Sequence, residues 1–373
     1  MKIKVNKDRL AEAVNTVKDV AADTGLEIIK NVKVETVGDD SLRVTATNLD
    51  VQITADAPCE VAEKGATTVR AKLLSQIVGA LPSGCMVEFA SDENNVDQAS
   101  LVGGEAKFRL ATLPVSEFPS IGGVEGLEFV FEESVLRGLL RRTFYAASDD
   151  AINRRILTGV CVQAKDGVVT AVATDGRRLS CASMPPMEQC VGKDFEMALP
   201  MASVKCLMRM MTGGGLVKVS LKPGSQARFS AEGWTLQTKL VDDVYPNWRR
   251  VVPAGEMKSA VIDRNGFMEA VKQSATTASV ANTSILVEFK DGYIGLKSKT
   301  GDGSAASSVK VSAKSEDGGT SILFAPKYIL DALGAIPSNS VSFNYSSAAE
   351  PVTFTCEDDG GDAVAVLMPI RMG

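Results

Sequence analysis

Three pairs of adjacent aspartates are the first residues in this sequence that could do acid–base chemistry: Asp149-Asp150, Asp242-Asp243 and Asp358-Asp359. A general acid and a general base must both reach the same substrate. Neighbouring residues of a strand point to opposite faces, so the two carboxylates of such a pair cannot converge. The pattern therefore favours solvated loops, and no catalytic residue is expected among them.

Two glycine-rich segments have the composition of nucleotide-binding loops. Residues 301–306 (GDGSAA) match a dinucleotide fingerprint loosely, but the alternating residues 308–311 predict a strand where that fold needs a helix. Residues 213–215 (GGG) lack the Lys-Ser/Thr that completes a phosphate loop. We therefore expect no cofactor at the first segment and a simple turn at the second.

The absence of histidine removes the commonest general base and the commonest zinc ligand. The seven cysteines are scattered, and no pair has metal-ligand spacing, so no metal site is expected. Their odd number and apolar surroundings are typical of reduced, buried thiols in a cytoplasm. Residues 1–7 alternate like a strand and lack the apolar stretch of a signal peptide. No apolar run approaches the roughly 20 residues of a membrane helix.

Size and charge set further bounds. A chain of 373 residues with 45% hydrophobic residues can form two or three domains, each with a core. The formal net charge of −6 argues against a simple nucleic-acid-binding domain, since such domains are usually basic. Any basic surface must therefore be local.

The sequence segments that predict helices and strands occur three times along the chain. Phe118-Pro119, Tyr245-Pro246 and Met368-Pro369 recur at intervals of roughly 125 residues. Proline gives no ladder hydrogen bond and makes its predecessor extended, so each pair is expected to end a strand. Residues 69–82 and 326–337 both end in Gly, two apolar residues and Pro, and 200–208 is their middle counterpart. The predicted domains are residues 1–124, 125–253 and 254–373.

Each repeat is predicted to run helix, strands, helix, strands. Asp-Gly pairs at 166–167, 175–176 and 291–292 predict tight hairpins, because glycine supplies the positive φ that such turns need. Apolar residues at helical spacing predict helices over 8–21, 73–81, 135–144, 203–211 and 263–274. The fold class is therefore α+β, with two helices packed on antiparallel sheets in each of three tandem domains.

The predicted helices have lysine and arginine on the side opposite their apolar stripe. Such residues are often ordinary solvated charges, and they could equally attract nucleic-acid phosphates. They are Lys7, Arg9, Arg70, Lys72, Arg137, Arg141, Arg142, Lys205, Arg209, Arg264, Lys272 and Lys327, with Arg154 and Arg155 adding to the charge of the second repeat.

The triplicated pattern, together with residues 173–179 (ATDGRRL), 245–251 (YPNWRRV) and 368–372 (MPIRM), resembles the bacterial DNA polymerase III beta subunit family, the sliding clamps. The resemblance covers the whole chain, and its motifs are specific in combination. It implies a non-catalytic DNA polymerase processivity factor. Two copies would pair head to tail into a six-domain ring, with helices lining the hole and sheets forming the outside.

The resemblance also implies partners and sites. The partners are a second copy, double-stranded DNA bound without sequence preference, the replicative polymerase subunit, the clamp loader and other proteins with a clamp-binding motif, but no membrane. The DNA-binding residues would be Arg70, Lys72, Arg137, Arg141, Arg142, Arg154, Arg155, Lys205, Arg209, Arg264 and Lys272. The pocket for linear peptides would be formed by Leu157, Thr174, Gly176, Arg177, Arg178, Leu179, Pro246, Arg250, Val251, Tyr328, Val366, Met368, Pro369, Ile370 and Arg371.

One alternative stays open on sequence alone. A repeat scaffold could bind linear peptide motifs without encircling DNA, because no residue pattern in a single chain reveals whether copies close into a ring. Its size in solution would separate the two functions.

Overall fold

Six α-helices occur in the described part of the chain. The computed structural model describes residues 1–21, 25–91, 97–149, 154–278, 284–315, 319–356 and 363–371. The helices are α1 (Lys7–Val17), α2 (Ala71–Ala80), α3 (Glu133–Thr143), α4 (Met201–Met210), α5 (Arg264–Ala275) and α6 (Pro326–Ala335).

The strands of the described residues fall into three sets of eight, and each set is accompanied by two helices. The first set is β1 (Lys2–Asn6), β2 (Asn31–Val37), β3 (Ser41–Thr47), β4 (Val51–Glu63), β5 (Ala66–Arg70), β6 (Met86–Ser91), β7 (Gln98–Gly103) and β8 (Ala106–Ala111). The second is β9 (Leu127–Glu132), β10 (Gly159–Lys165), β11 (Val168–Thr174), β12 (Arg178–Ser183), β13 (Phe195–Pro200), β14 (Leu216–Lys222), β15 (Gln226–Ala231) and β16 (Trp234–Lys239). The third is β17 (Lys258–Asp263), β18 (Ile285–Lys290), β19 (Tyr293–Lys299), β20 (Ala306–Lys314), β21 (Ser321–Phe324), β22 (Ser340–Tyr345), β23 (Val352–Cys356) and β24 (Ala363–Leu367). This recurrence confirms the predicted α+β fold of three tandem repeats.

The chain forms two compact units. The first contains residues 1–133 and 209–240, and its antiparallel sheet runs β8-β7-β6-β1-β4-β16-β15-β14-β9, with β3 also paired to β4 and leading to β2 and β5. The second contains residues 134–208 and 241–373, and its antiparallel sheet runs β13-β10-β11-β12-β24-β23-β22-β17-β20-β19-β18-β21. Each unit therefore shares a sheet between the second repeat and one neighbouring repeat.

The first helix shows why the predicted elements form. The Asn6 side chain accepts a hydrogen bond from Asp8 N at 2.9 Å and caps α1. Leu10, Val14 and Val17 form its buried stripe. The predicted helix 8–21 is too long, because α1 ends at Val17 and a 3₁₀ turn continues over Lys18–Val20. The other predicted helices differ from the observed ones by one or two residues at each end.

The Asp-Gly hairpins are confirmed. Asp166 and Gly167 have φ angles of 52° and 82°, and they join β10 to β11. Asp291-Gly292 joins β18 to β19, and Gly292 has a φ angle of 78°. The hairpin at 175–176 is one residue longer, because Arg177 also lies outside the two strands.

The prediction that each aromatic-proline or Met-Pro pair ends a strand is right at one position and wrong at two. β24 ends at Leu367, directly before Met368-Pro369. β16 ends at Lys239, so Tyr245 lies in an irregular segment, and β8 ends at Ala111, well before Phe118. Proline disfavours the continuation of a ladder but does not require a strand before it.

Candidate functional site

The loop between β11 and β12 is held in one shape by its own side chains. The Thr174 hydroxyl donates to Arg178 O at 2.7 Å and accepts from Gly176 N at 3.1 Å. The Asp175 carboxylate accepts from the backbone N–H groups of Arg177 (2.8 Å) and Arg178 (3.0 Å). Gly176 has a φ angle of 86°, which favours glycine. The loop therefore presents Arg177 and Arg178 in fixed directions.

Arg178 points into the protein. Its side chain is 7% exposed, and its guanidinium donates to Asp175 at 3.0 Å and to Asp331 on α6 at 2.5 Å. The guanidinium carbon lies 4.7 Å from the ring centre of Tyr328 and 5.6 Å from that of Tyr145, distances typical of cation–π contact. Arg178 therefore ties the loop to α6 and supports Tyr328 from behind.

Opposite charges stabilise the ion pairs around Arg178. Burial disfavours the charged form of Arg178, but the hydrogen bond to Asp331 and the charges of Asp175 and Asp331 outweigh it and raise the pKa of Arg178. Lys327 donates to Asp331 at 2.5 Å, one turn away on α6. Burial raises the pKa of Tyr145, whose ring stays neutral beside the guanidinium. Asp331 thus joins two cations that the loop and the helix contribute separately.

The carboxyl-terminal segment is fixed to the same loop. Met368 N donates to Arg177 O at 2.9 Å, and Ile370 N donates to Leu323 O at 2.8 Å. The side chains of Met368 and Ile370 are 40% and 39% exposed. This segment therefore displays two apolar side chains at fixed positions although no strand continues beyond Leu367. Met372, the last residue of the motif, lies outside the described residues.

A groove with a volume of about 710 Å³ lies between this segment, the loop and α6. Its size falls within the range of small-ligand and peptide sites. Arg177 and Lys327 are exposed on it, and a hydrogen bond between Arg177 and the Tyr328 hydroxyl raises the pKa of Arg177. The groove is lined by Arg177, Ala275, Ala278, Ala325, Pro326, Lys327, Tyr328, Met368, Pro369 and Ile370. It is an apolar trough with cations beside it.

Three of the predicted pocket residues are buried in a separate cluster. Leu157, Leu179 and Val366 are 4%, 1% and 1% exposed and pack together with Tyr245. Trp248 packs against the same cluster, and the Arg249 guanidinium lies 4.4 Å from the centre of its ring. These residues form a core layer that fixes β12 and β24, and a ligand would touch them only after side chains move.

The structure does not place Pro246, Arg250 and Val251 on the walls of this groove. All three are exposed. Arg250 and Val251 line another depression, of about 420 Å³, with Pro253 and Met257. Arg371, also predicted for the pocket, is exposed just beyond Ile370.

Several of the basic residues predicted to bind DNA have partners within the protein. Arg70 donates to Glu27 at 2.8 Å, and Arg209 donates to Asp19 and to Thr16 O. Arg137 donates to Met208 O at 3.1 Å, and Arg264 donates to Ile336 O at 2.6 Å. Lys72 and Arg142 also have partners. These side chains would have to give up or share contacts to meet a phosphate.

A second group of predicted DNA-binding residues is exposed. Arg141, Lys205 and Lys272 form no ion pair with any described residue and lie on α3, α4 and α5. Arg155 is also exposed. Arg154 is exposed too, and its guanidinium is 3.1 Å from the position that a Cβ on Gly176 would occupy. Arg154 therefore belongs to the surroundings of the 175–177 loop.

Sequence reasoning missed several residues of this site. Asp331, which completes the Arg178 network, is 153 positions away in sequence. Ala275 ends α5 and Ala278 lies three residues beyond it, and neither has a chemical signature. The spacing of Lys327, Tyr328 and Asp331 on one helix was the available signal, since residues three or four apart share a helix face.

Only some of the residues first considered for catalysis lie in the described part of the chain. Asp242 and Asp243 are exposed in a loop, whereas Asp150, Asp358 and Asp359 lie outside the described residues. Residues 301–306 lead into β20, as predicted, and residues 213–215 form a bend between α4 and β14. None of the cysteines that the structure describes forms a disulfide, and Cys161, Cys181 and Cys190 are buried.

The described residues contain neither a cluster of metal ligands nor a membrane-spanning helix. No group of three or more Cys, Asp or Glu side chains there is arranged to hold a metal ion. Among the same residues, no helix has the length and apolar character that crossing a membrane requires.

Comparison with known proteins gives one consistent family. Models of the DNA polymerase III beta subunit match residues 1–122 (N-terminal domain), 131–247 (central domain) and 249–371 (C-terminal domain). The beta sliding clamp of Pseudomonas aeruginosa is 29% identical over 351 residues, which are 93% of each chain. That of Caulobacter vibrioides is 29% identical over 384 residues and the full length of both chains.

Solved structures agree with the sequence comparison. The DnaN sliding clamp of Pseudomonas aeruginosa bound to griselimycin superposes with a TM-score of 0.93 at 27% identity, and Caulobacter crescentus pol III beta does so with 0.89 at 26%. Both cover this chain and their own chains completely. With three family models in tandem and these full-length matches, the chain belongs to the DNA polymerase III beta subunit family, the beta sliding clamps.

Proposed function

We propose that this protein is a DNA polymerase processivity factor, two copies of which close into a ring around duplex DNA and tether other proteins through the Tyr328–Met368 groove. The observation that carries the proposal is the way in which consecutive repeats are joined. Each internal junction pairs the same two strands of the repeat, and the equivalent two strands at the ends of the series each keep one open edge.

The internal junctions are antiparallel strand pairs. In the first unit β4 pairs with β16, with Ile53 opposite Leu236. In the second unit β12 pairs with β24, with Ser180 opposite Ala365. β4 and β12 are the fourth strands of their repeats, and β16 and β24 are the eighth strands of theirs. A fourth strand therefore binds the eighth strand of the following repeat.

This rule leaves two strand edges open. β20 is the fourth strand of the last repeat and meets β17 only at residues 313 and 314, while β8 is the eighth strand of the first repeat and forms one edge of its sheet. Open edges are templates for further pairing. A second copy offers β8 to β20 and β20 to β8, which satisfies both edges in a head-to-tail homodimer of six domains.

The ring binds duplex DNA without reading its sequence. A clamp must slide, so phosphate attraction from lysine and arginine is useful whereas base contacts would stop it. The exposed side chains of Arg141, Lys205 and Lys272 support this role most directly. The full proposed set is Arg70, Lys72, Arg137, Arg141, Arg142, Arg154, Arg155, Lys205, Arg209, Arg264 and Lys272, and Arg154 also lies beside the peptide site.

The groove takes short linear peptides from the replicative polymerase subunit, the clamp loader and other proteins with a clamp-binding motif. Apolar anchors would fill the trough between Tyr328 and Met368, since methionine adapts to varied partners. Arg177, Arg154 and Lys327 would steer acidic groups of the peptide. Leu157, Leu179 and Val366 would support this surface from below, and Pro246, Arg250 and Val251 would extend it.

The proposal includes no reaction, cofactor or metal, because binding and topology alone account for the function. The protein would act in the cytoplasm on the nucleoid, where DNA and polymerase are found. The three domains are proposed to be residues 1–124, 125–253 and 254–373. Both divisions fall in stretches without helix or strand, between β8 and β9 and between β16 and β17.

Retention on DNA of different topology tests the proposal. After loading by a clamp loader, the protein should stay on nicked circular DNA through gel filtration and be lost when the DNA is cut once. Equal retention on circular and linear DNA would contradict encirclement. Peptide binding by a protein that is monomeric and never retained on circles would favour the scaffold that binds peptides without encircling DNA.

A further inference from the structure

We infer that the two copies join in one fixed register, in which Phe108 of one copy faces Ser307 of the other and Glu105 faces Lys310. This inference rests on the dimer proposed above and adds its atomic alignment. The internal junctions, the hairpin registers and the alternation of exposed residues carry it.

Two-residue turns show which residues of β8 and β16 occupy equivalent positions in their repeats. Gly104-Glu105 joins β7 to β8 with Gly103 opposite Ala106, and Glu232-Gly233 joins β15 to β16 with Ala231 opposite Trp234. Ala106 therefore corresponds to Trp234, and Phe108 corresponds to Leu236. Leu236 is the residue that faces Ile53 at the first junction.

The hairpins likewise show which residues of β20 and β12 occupy equivalent positions in their repeats. The Asp-Gly turns at 166–167 and 291–292 align β11 with β19, so that Thr174 corresponds to Lys299. Across the next hairpin Thr174 faces Leu179 and Lys299 faces Ala306. Ser307 therefore corresponds to Ser180, which faces Ala365 at the second junction.

When β20 and β8 pair as the fourth and eighth strands do at the internal junctions, Phe108 lies opposite Ser307. Because the strands are antiparallel, Lys107 then faces Ser308 and Ala106 faces Val309. Glu105, in the turn before β8, faces Lys310. The first junction shows that pairing reaches this turn position, because Asp56 N donates to Gly233 O at 3.0 Å, and Gly233 is the counterpart of Glu105.

The exposure pattern of both strands agrees with this register. Lys107 and Arg109 of β8 are exposed, whereas Ala106 and Phe108 are half-buried. On β20 the exposed residues are Ala306, Ser308 and Lys310, and Ser307 and Val309 are half-buried. Every exposed residue thus faces an exposed one. A slip by one residue would bring each exposed side chain against a half-buried one.

Charge favours this register over a slip by two residues in one direction. In the inferred register the Glu105 carboxylate and the Lys310 ammonium lie on the exposed face, directly across the junction, where opposite charges attract. Lys310 is already held at that face, with its ammonium 5.0 Å from the ring centre of Tyr293. Moving the strands by two residues in one direction would instead place Lys107 opposite Lys310, a like-charge pair.

Charge exchange tests the alignment. Glu105→Lys and Lys310→Glu should each raise the dimer dissociation constant about fivefold, since each faces a like charge across the pair. The double variant should return to within about twofold of the original protein. Dissociation constants come from sedimentation at micromolar and lower concentrations. Glu232→Lys, in the matching turn of the second repeat, is the control and should leave the constant unchanged.

The outcomes separate the inference from its foundation. If the original protein dimerises but the double variant is no tighter than the weaker single variant, the register is wrong and the dimer stands. If the original protein remains monomeric at micromolar concentration, the ring and the register are both overturned. The pairing of Glu105 with Lys310 is supported only if the dimer dissociation constant of the double variant returns toward that of the original protein.

Discussion

Replacing Arg178 with methionine should destabilise the second unit strongly although the residue was first expected to contact peptides. Its guanidinium is 7% exposed and donates to Asp175 at 3.0 Å and to Asp331 at 2.5 Å. Removing one partner of a buried ion pair costs about 3–5 kcal/mol. Asp331 is 28% exposed and keeps its bond from Lys327, so we expect a loss of about 2–4 kcal/mol.

The two tryptophans allow this loss to be measured in one unit. In a Trp234→Phe background, Trp248 is the remaining tryptophan, and it packs against the Leu157–Leu179–Val366 cluster of the second unit. Urea unfolding followed by its fluorescence gives the free energy of unfolding. Lys297→Met is the matched control, because it breaks a 2.8 Å pair with Glu288 in the same unit while Lys297 is 52% exposed. A surface pair of this kind contributes at most about 1 kcal/mol.

Peptide titration completes the comparison. Tyr328 rests against the Arg178 guanidinium, so the variant should bind a polymerase-derived peptide about tenfold more weakly, which corresponds to about 1.4 kcal/mol. A free energy of unfolding no lower than that of Lys297→Met would refute the argument from burial. Normal peptide affinity in a destabilised variant would show that Tyr328 needs no support from Arg178.

Two further substitutions test other parts of the structure. Leu49 has a φ angle of 77° in an exposed turn where the second repeat has Gly176 at 86°. The left-handed conformation costs a non-glycine residue about 1–2 kcal/mol, and glycine loses about 0.5–1 kcal/mol in chain freedom, so Leu49→Gly should stabilise the first unit by up to about 1 kcal/mol. Trp234 fluorescence in a Trp248→Phe background measures the free energy of unfolding. A loss of stability would contradict the reasoning. Met368→Ala should weaken peptide binding about fivefold by removing an anchor from the groove. Val244→Ala is the control and should leave binding unchanged, because Val244 is 84% exposed and does not line the groove. Equal affinities of the two variants in calorimetric titration would remove Met368 from the site.

Much of the fold could be read from the sequence because its signals are local. The Asp-Gly hairpins, the amphipathic stripe of α1 and the alternation in β20 each depend on residues within one turn or strand. The position of Tyr245 could not be predicted in this way. Its ring is 6% exposed in an irregular segment, where packing against Leu157 and Leu179 replaces strand pairing.

The segments that contribute to the candidate site were predictable, whereas its full lining and the roles of its residues were not. Its residues come from the 175–177 loop, α6 and the segment after β24, and the sequence marks each of these by a recognisable motif. The direction in which Arg178 points depends on Asp331, which is remote in sequence, and on the rings of Tyr145 and Tyr328. A motif identifies an arginine, but only long-range contacts decide whether its charge faces solvent or an internal carboxylate.

The two internal junctions show how one backbone arrangement can serve different purposes. At the first junction Lys239 N donates to Asp50 O at 2.9 Å, and at the second Met368 N donates to Arg177 O at 2.9 Å, so the main chain is the same. The side chains at these positions differ, because Lys239 and Asp50 form a 3.0 Å ion pair with each other whereas Met368 and Arg177 both line a groove. An ion pair closes the surface at the first junction, whereas at the second an apolar residue lies beside an arginine that forms no ion pair with a described residue, and the surface stays open for the proposed peptide. Triplication of the domain therefore accounts for the framework of the candidate site, and side-chain differences at two equivalent positions account for the groove at the second junction.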